Sequence, residues 1–156
     1  LSEIIQKKTI DFLKNENFTS VAIYSPIRKE IKTDLIFDFF GKEKTVLYPF
    51  IKENKMFFSE IKNISQLKKG KYGILTPPEN AYKGKIDFII VPGLVFNLSG
   101  YRIGYGGGFY DRFFSENNSA VKISMAFSFQ ITEEDISEKH DIPVNYIVTE
   151  NNFYKM

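Results

Sequence analysis

The chain has 156 residues, the length of one domain, with 43% hydrophobic and 26% charged residues, a balance that buries a core rather than staying disordered. It holds no cysteine and one histidine, which excludes disulfides, a cysteine nucleophile, thiolate metal ligation and a multi-histidine zinc site. Against 19 acidic residues stand 21 basic ones, a net charge of +2 too even to argue for nucleic acid or a membrane surface.

Residues 1–15 space Leu1, Ile4, Ile5, Phe12 and Leu13 as one face of an amphipathic helix. Ser20 to Ser25 is a β-rich apolar run closed by Pro26, hence a buried strand. Ile31 to Phe40 returns to helical spacing and stops at Gly41. Thr45 to Ile51 reads as a strand whose Pro49 belongs at an edge or bulge, and Met56 to Ile61 as a short strand. The lysine-bearing stretch Asn63–Gly73 reads as a turn plus a helical turn, and the prolines after Thr76 mark a loop. Ile86 to Val91, ended by Pro92-Gly93, has the continuous apolar character of a parallel strand buried on both faces. Gly108 to Ser115 places Phe109, Tyr110, Phe113 and Phe114 at helical spacing. Val121 to Phe129 predicts a strand, Thr132 to Glu138 an acidic helical turn and Tyr146 to Thr149 a last strand. The alternation predicts an α/β fold, a Rossmann-like three-layer sandwich with a mostly parallel sheet, in a single domain over 1–156. No run of about 18 apolar residues occurs, and Leu1 to Leu13 is periodic rather than continuously apolar. Neither a membrane span nor a signal peptide is therefore expected. A cytoplasmic monomer without membrane or nucleic-acid partners is the expectation.

Glycine and arginine are unevenly distributed. Five of the ten glycines lie between Gly100 and Gly108, and two of the three arginines, Arg102 and Arg112, lie in or beside that stretch, in a chain with 18 lysines. The planar guanidinium grips an oxyanion bidentately where an ammonium cannot. Gly104, Gly106, Gly107 and Gly108 let consecutive N–H groups approach an anion at the start of the following helix. Arg102 would be a charge partner, and Asp111 a candidate Mg²⁺ ligand. The stretch is not a Walker A loop, and the acidic residue of a dinucleotide fingerprint is not in place. Glycines alone leave two readings open, a phosphate cradle or a turn that lets a helix pack.

The whole string, Pro92-Gly-Leu-Val-Phe-Asn-Leu-Ser-Gly-Tyr-Arg-Ile-Gly-Tyr-Gly-Gly-Gly-Phe-Tyr-Asp-Arg112, resembles the signature of the 5-formyltetrahydrofolate cyclo-ligase (5,10-methenyltetrahydrofolate synthetase) family. The resemblance extends in order to Glu30 and Thr33, to Tyr48-Pro49 with Met56, to Tyr72-Gly-Ile, to Phe127-Ser-Phe-Gln130, and to Glu138 through Glu150. It implies an ATP- and Mg²⁺-dependent conversion of 5-formyltetrahydrofolate to 5,10-methenyltetrahydrofolate, with ADP and phosphate released through an imidate phosphate.

Carried over by position, Arg102, Gly104, Tyr105, Gly106, Gly107, Gly108, Phe109 and Tyr110 match the ATP phosphate loop, with Arg102 and Tyr110 at the chemistry. Asp111 matches a Mg²⁺ ligand and Asp141 a second one. Glu30 matches the carboxylate that holds the pterin ring, and Met56, Tyr72 and Tyr110 match positions lining the folate pocket. The sequence departs from the family at Phe109, where many members have Tyr, at Asn97, where many have Asp, and at Thr76, where Glu is usual. The family's N-terminal helix, which brings a Lys and an Arg to the nucleotide, is expected to be missing, because residues 1–15 match the helix after it. That role is not transferred to Lys7 or Lys8.

Blander readings stand beside these. Glu30 between Arg28 and Lys32 could be a solvated surface charge, and Asp141 before Ile-Pro could cap a turn. Phe113 and Phe114 suit core packing, and His140 suits a loop. Lys68, Lys69 and Lys71 form a solvated run that could attract a polyglutamylated folate by charge. Two other functions compete, a sugar-phosphate or coenzyme A enzyme on a related sandwich, and a non-catalytic nucleotide- or RNA-binding relative of the family.

Overall fold

The computed structural model describes residues 1–156. In chain order the elements are α1 (Ser2–Leu13), β1 (Ser20–Ala22), α2 (Asp34–Phe40), β2 (Thr45–Lys52), β3 (Lys55–Glu60), β4 (Lys68–Lys69), β5 (Leu75–Thr76), β6 (Phe88–Ile90), β7 (Val95–Asn97), β8 (Arg102–Ile103), α3 (Phe109–Glu116), β9 (Val121–Met125), β10 (Ile131–Thr132), β11 (Tyr146–Val148) and β12 (Phe153–Lys155). Seven strands form the main sheet in the order β12-β11-β9-β6-β1-β2-β3. The inner pairs are parallel and both edge pairs antiparallel, so the predicted α/β sandwich is observed.

Alternation along the strands sorts side chains to two faces. Val21, Ile23, Phe88, Ile90, Ile123 and Val148 meet Ile5 and Leu13 of α1 and Ile36 and Phe40 of α2 on one face. Ala22, Leu47, Ile89, Val91 and Ile147 meet Phe96 of β7 and Phe114 of α3 on the other. Gln6, almost fully buried on α1, ties the two helices of the first face together. Its Oε1 accepts from the Leu35 N–H at 2.9 Å, one of the otherwise orphaned donors at the start of α2, and its Nε2 donates to Asp34. Pro49 costs the sheet no hydrogen bond, because β1 pairs only with Thr45 to Leu47, leaving Pro49 opposite Phe58 of β3 alone.

Three expectations are corrected. The acidic stretch Thr132–Glu138 is not helical: β10 pairs with β7, and beyond it Thr132 and Asp135 side chains accept from the backbone N–H groups of Glu134 and Ser137. Such local bonds compete with a helix ladder. The strand predicted over Val121–Phe129 stops at Met125 and becomes a 3₁₀ turn at Ser128–Gln130. Between β6 and α3 the chain does not simply loop; it forms the β7–β8 hairpin, joined to β10 in a small three-stranded sheet. No helix is long and apolar enough to cross a membrane.

Candidate functional site

The carboxyl ends of β1, β6 and β9 point to one end of the sheet, where ligands of open α/β sheets bind. After β1 comes the turn bearing Glu30; after β6 come the hairpin and the glycine loop. Asn97, nearly buried, shapes the hairpin turn: its Oδ1 accepts from the N–H groups of Ser99 and Tyr101 at 3.2 and 3.0 Å, and its Nδ2 donates to the Glu134 carbonyl. Gly100 at φ 92° packs so closely that a Cβ there would lie 2.5 Å from the Val144 carbonyl oxygen.

The loop that follows is built differently. Gly104 through Gly108 are exposed, and none of the backbone N–H groups from Gly104 through Asp111 donates to any group of the protein. A Cβ at Gly104 or Gly106 would meet nothing within 4 Å. Gly108 caps α3 in the left-handed region with no side-chain cap, so the helix's first donors are also free. The chain thus presents consecutive unpartnered donors and open space at a helix start, which is what an anion such as a nucleotide phosphate needs.

Arg102 lies beside the first turn of α3. Its side chain is only 7% exposed, with Nη2 3.5 Å from Asp111 Oδ1 and Nη1 donating to the Ile142 carbonyl at 3.3 Å. The Ile142 N–H donates back to Asp111 Oδ1 at 3.1 Å, closing a ring that staples β8, α3 and the 141–142 segment. The guanidinium carbon also lies 5.9 Å from the Tyr110 ring centre and 5.8 Å from that of Phe114. Asp141 Oδ2 accepts from the Glu138 N–H at 2.8 Å, which caps the local turn.

No group of three or more His, Asp or Glu gathers as a metal cage. Asp111 and Asp141 nevertheless each keep one carboxylate oxygen without a protein partner. Hard oxygens in that number suit Mg²⁺, which takes one or two carboxylates and completes its shell with water and substrate phosphates.

Glu30 folds back on its own turn, Oε1 accepting from the Ile27 N–H at 2.8 Å. Burial raises its carboxyl above the usual range, against the Ile27 N–H and the Tyr105 hydroxyl, which favour the charged form. Burial also pushes the Tyr110 phenol far up; Arg102 opposes this and Glu30 adds to it. Glu30, Tyr105, Tyr110 and Arg102 therefore share one electrostatic neighbourhood. Tyr24, which sequence reasoning did not single out, belongs to it: buried at the end of β1, it donates to the Ile31 carbonyl at 2.7 Å and feels Glu30, Tyr110 and Tyr105. Its place just past a parallel strand was the available signal. Nothing local in the sequence marks Ile142.

Met56 is buried in β3 and, with Phe109, borders a cleft of about 760 Å³ beside α3. Tyr72 stands apart: it is 95% exposed, at φ 60°, on the turn between β4 and β5. That turn is anchored to the segment after β1 by the Ser25 hydroxyl, which donates to the Leu75 carbonyl at 2.6 Å.

The pattern of the 5-formyltetrahydrofolate cyclo-ligase family matches residues 2–150. A 5-formyltetrahydrofolate cyclo-ligase of Haemophilus influenzae is 26% identical over 90% of this chain and 80% of its own length. One of Mycoplasma genitalium is 30% identical over 85% of this chain and 74% of its own. The solved structure of Aquifex aeolicus 5,10-methenyltetrahydrofolate synthetase superposes with a TM-score of 0.85 at 32% identity, covering 99% of this chain and 80% of that one.

Proposed function

The chain belongs to the 5-formyltetrahydrofolate cyclo-ligase family, a family of ligases that close 5-formyltetrahydrofolate to 5,10-methenyltetrahydrofolate, and from that premise we propose that ATP, with Mg²⁺, drives this closure here through a phosphorylated formyl group. The observation that carries the reading is the run of unpartnered N–H groups from Gly104 through Asp111 at the start of α3, whose Asp111 lies 3.5 Å from a buried arginine side chain.

The formyl oxygen attacks the γ-phosphorus, a P–O bond forms, and the bond to the β–γ bridging oxygen breaks with its electron pair leaving on ADP. The position-10 nitrogen then attacks the activated formyl carbon and loses its proton, and the C–O electron pair departs with phosphate. Such a transfer asks for positioning and charge neutralisation rather than a protein nucleophile. The loop donors would hold the phosphates, with Tyr105 and Phe109 flanking them, and Arg102 would offset their charge. Mg²⁺ held by Asp111 and Asp141 would supply further neutralisation.

Tyr110 remains a protonated donor at neutral pH, suited to an oxygen that gains charge. Glu30, as a carboxylate, would accept from the paired N–H groups of the pterin's aminopyrimidinone. Met56 and the exposed Tyr72 would close on the ring system. The test is ATP-dependent appearance of methenyl absorbance from 5-formyltetrahydrofolate and Mg²⁺; no turnover would sink the reading.

A further inference from the structure

Arg102 is engaged by Asp111 and Ile142, whereas Arg112, the other arginine of this stretch, pairs with no carboxylate. Arg112 is the fourth residue of α3, so its charge stands near the helix end whose dipole repels cations. The side chain turns back along the chain instead of reaching for an acid. Nη1 donates to the Gly107 carbonyl at 2.7 Å, and the guanidinium carbon lies 4.8 Å from the centre of the Phe109 ring. That ring closes against Gly107, where a Cβ would lie 2.7 Å from it, and a Cβ at Gly108 would lie 3.1 Å from Arg112 Nη1. Arginine, ring and the two glycines form one packed corner between the loop and the helix.

This contact acts on two of the loop's free donors. Every peptide is trans, so the Gly107 carbonyl and the Gly108 N–H lie on opposite sides of one rigid plane. Holding the carbonyl toward Arg112 turns the Gly108 N–H away from it, and that N–H has no partner in the protein. The Arg112 backbone N–H does the same one residue on: it donates to the Gly108 carbonyl at 3.0 Å, which turns the unpartnered Phe109 N–H away. A helix that began one residue earlier would give the Gly107 carbonyl to the Asp111 N–H. The guanidinium takes that acceptor instead, and the Asp111 N–H stays unpartnered. We propose that Arg112 is a positioning residue of the phosphate loop: its guanidinium holds the Gly107 carbonyl back, so that the Gly108 and Asp111 N–H groups are set for an incoming phosphate chain before it arrives. The inference rests on the nucleotide reading above and deepens it. An anion bound there also offsets the unfavourable placement of a cation at a helix start.

The test uses Arg112→Met, which keeps a long side chain over the Phe109 ring and removes the donors. Calorimetry with Mg²⁺-ATP and with inorganic pyrophosphate should show about tenfold weaker binding than by the wild type. The ratio should persist in about 0.5 M salt, where a through-space charge effect is screened. The KM for 5-formyltetrahydrofolate should stay within about twofold. Tm should stay within about 2 °C, because the bond to Gly107 is exposed. In ¹⁵N spectra the Gly108 amide signal of the free protein should move in Arg112→Met, and its further shift on adding pyrophosphate should be mostly lost. Wild-type affinity for ATP and pyrophosphate in Arg112→Met, a loss that disappears in salt, or an equal loss of folate affinity would overturn the positioning role even with turnover intact. A tenfold pyrophosphate loss in a protein without turnover would instead uphold that role and remove the proposed activity.

Discussion

Two glycine-bearing turns only a few residues apart have opposite reasons for their composition. At 97–101 the protein makes every demand itself: Asn97 satisfies the turn's donors, and Gly100 is fixed by the Val144 carbonyl it nearly touches. At 104–108 the protein makes fewer: the donors are free and Gly104 and Gly106 face open space, while a Cβ at Gly107 would lie 2.7 Å from the Phe109 ring and Gly108 is left-handed. A glycine pressed by neighbours reports on folding. A glycine facing nothing, in a row of unused N–H groups, reports on something that arrives from outside.

Substitutions can break this contrast. Arg102→Ala removes the charge beside Asp111 at the start of α3, and turnover should fall about 10²–10³-fold in the methenyl absorbance assay. Arg102→Lys should recover little of it, because an ammonium cannot span Asp111 and Ile142 as the fork does. Gly100→Ala should cost about 3 kcal/mol through overpacking and left-handed strain, lowering Tm by about 6–12 °C in thermal melts. A melt unchanged by Gly100→Ala would mean that the first turn is as permissive as the second.

Gly106→Ala, also at positive φ but in open space, should cost only about 1 kcal/mol in the same melts while weakening nucleotide affinity about tenfold by calorimetry. The smallest effect is a pH dependence. On the proposed role of Glu30, folate binding uses its carboxylate, whose pKa is raised, so affinity should begin to fall at a pH above the ordinary glutamate value of about 4.3. Folding stability should move the other way over that window: the native group holds its proton more tightly than the unfolded one, so its contribution is lost as pH rises through the raised pKa. Glu30→Gln should flatten both dependences in binding and melting titrations.

The sequence made much of the parallel core legible, because strands buried on both faces read as apolar runs closed by Pro or Gly, as at β1 before Pro26 and β6 before Pro92-Gly93. The β7–β8 hairpin, β10 and β12 were missed: they are two or three residues long, and what defines them is pairing with distant partners. At the site, Arg102 stood out as arginine among lysines. Its ring with Asp111 and Ile142 did not, because a residue some forty positions on supplies the third member through its backbone alone. Glu30 looked like a surface charge by its neighbours, and only the fold carries Tyr105 and Tyr110 to it.

The strand order has a consequence for how the chain is made. Starting from β1, strands β2 and β3 extend the main sheet on one side, and β6, β9, β11 and β12 extend it on the other, each in the order of synthesis. No arriving strand has to be inserted between two already paired. A nascent chain can add each new strand to an open border as it leaves the ribosome, so the slow search usually attached to distant parallel pairing is divided into successive short ones.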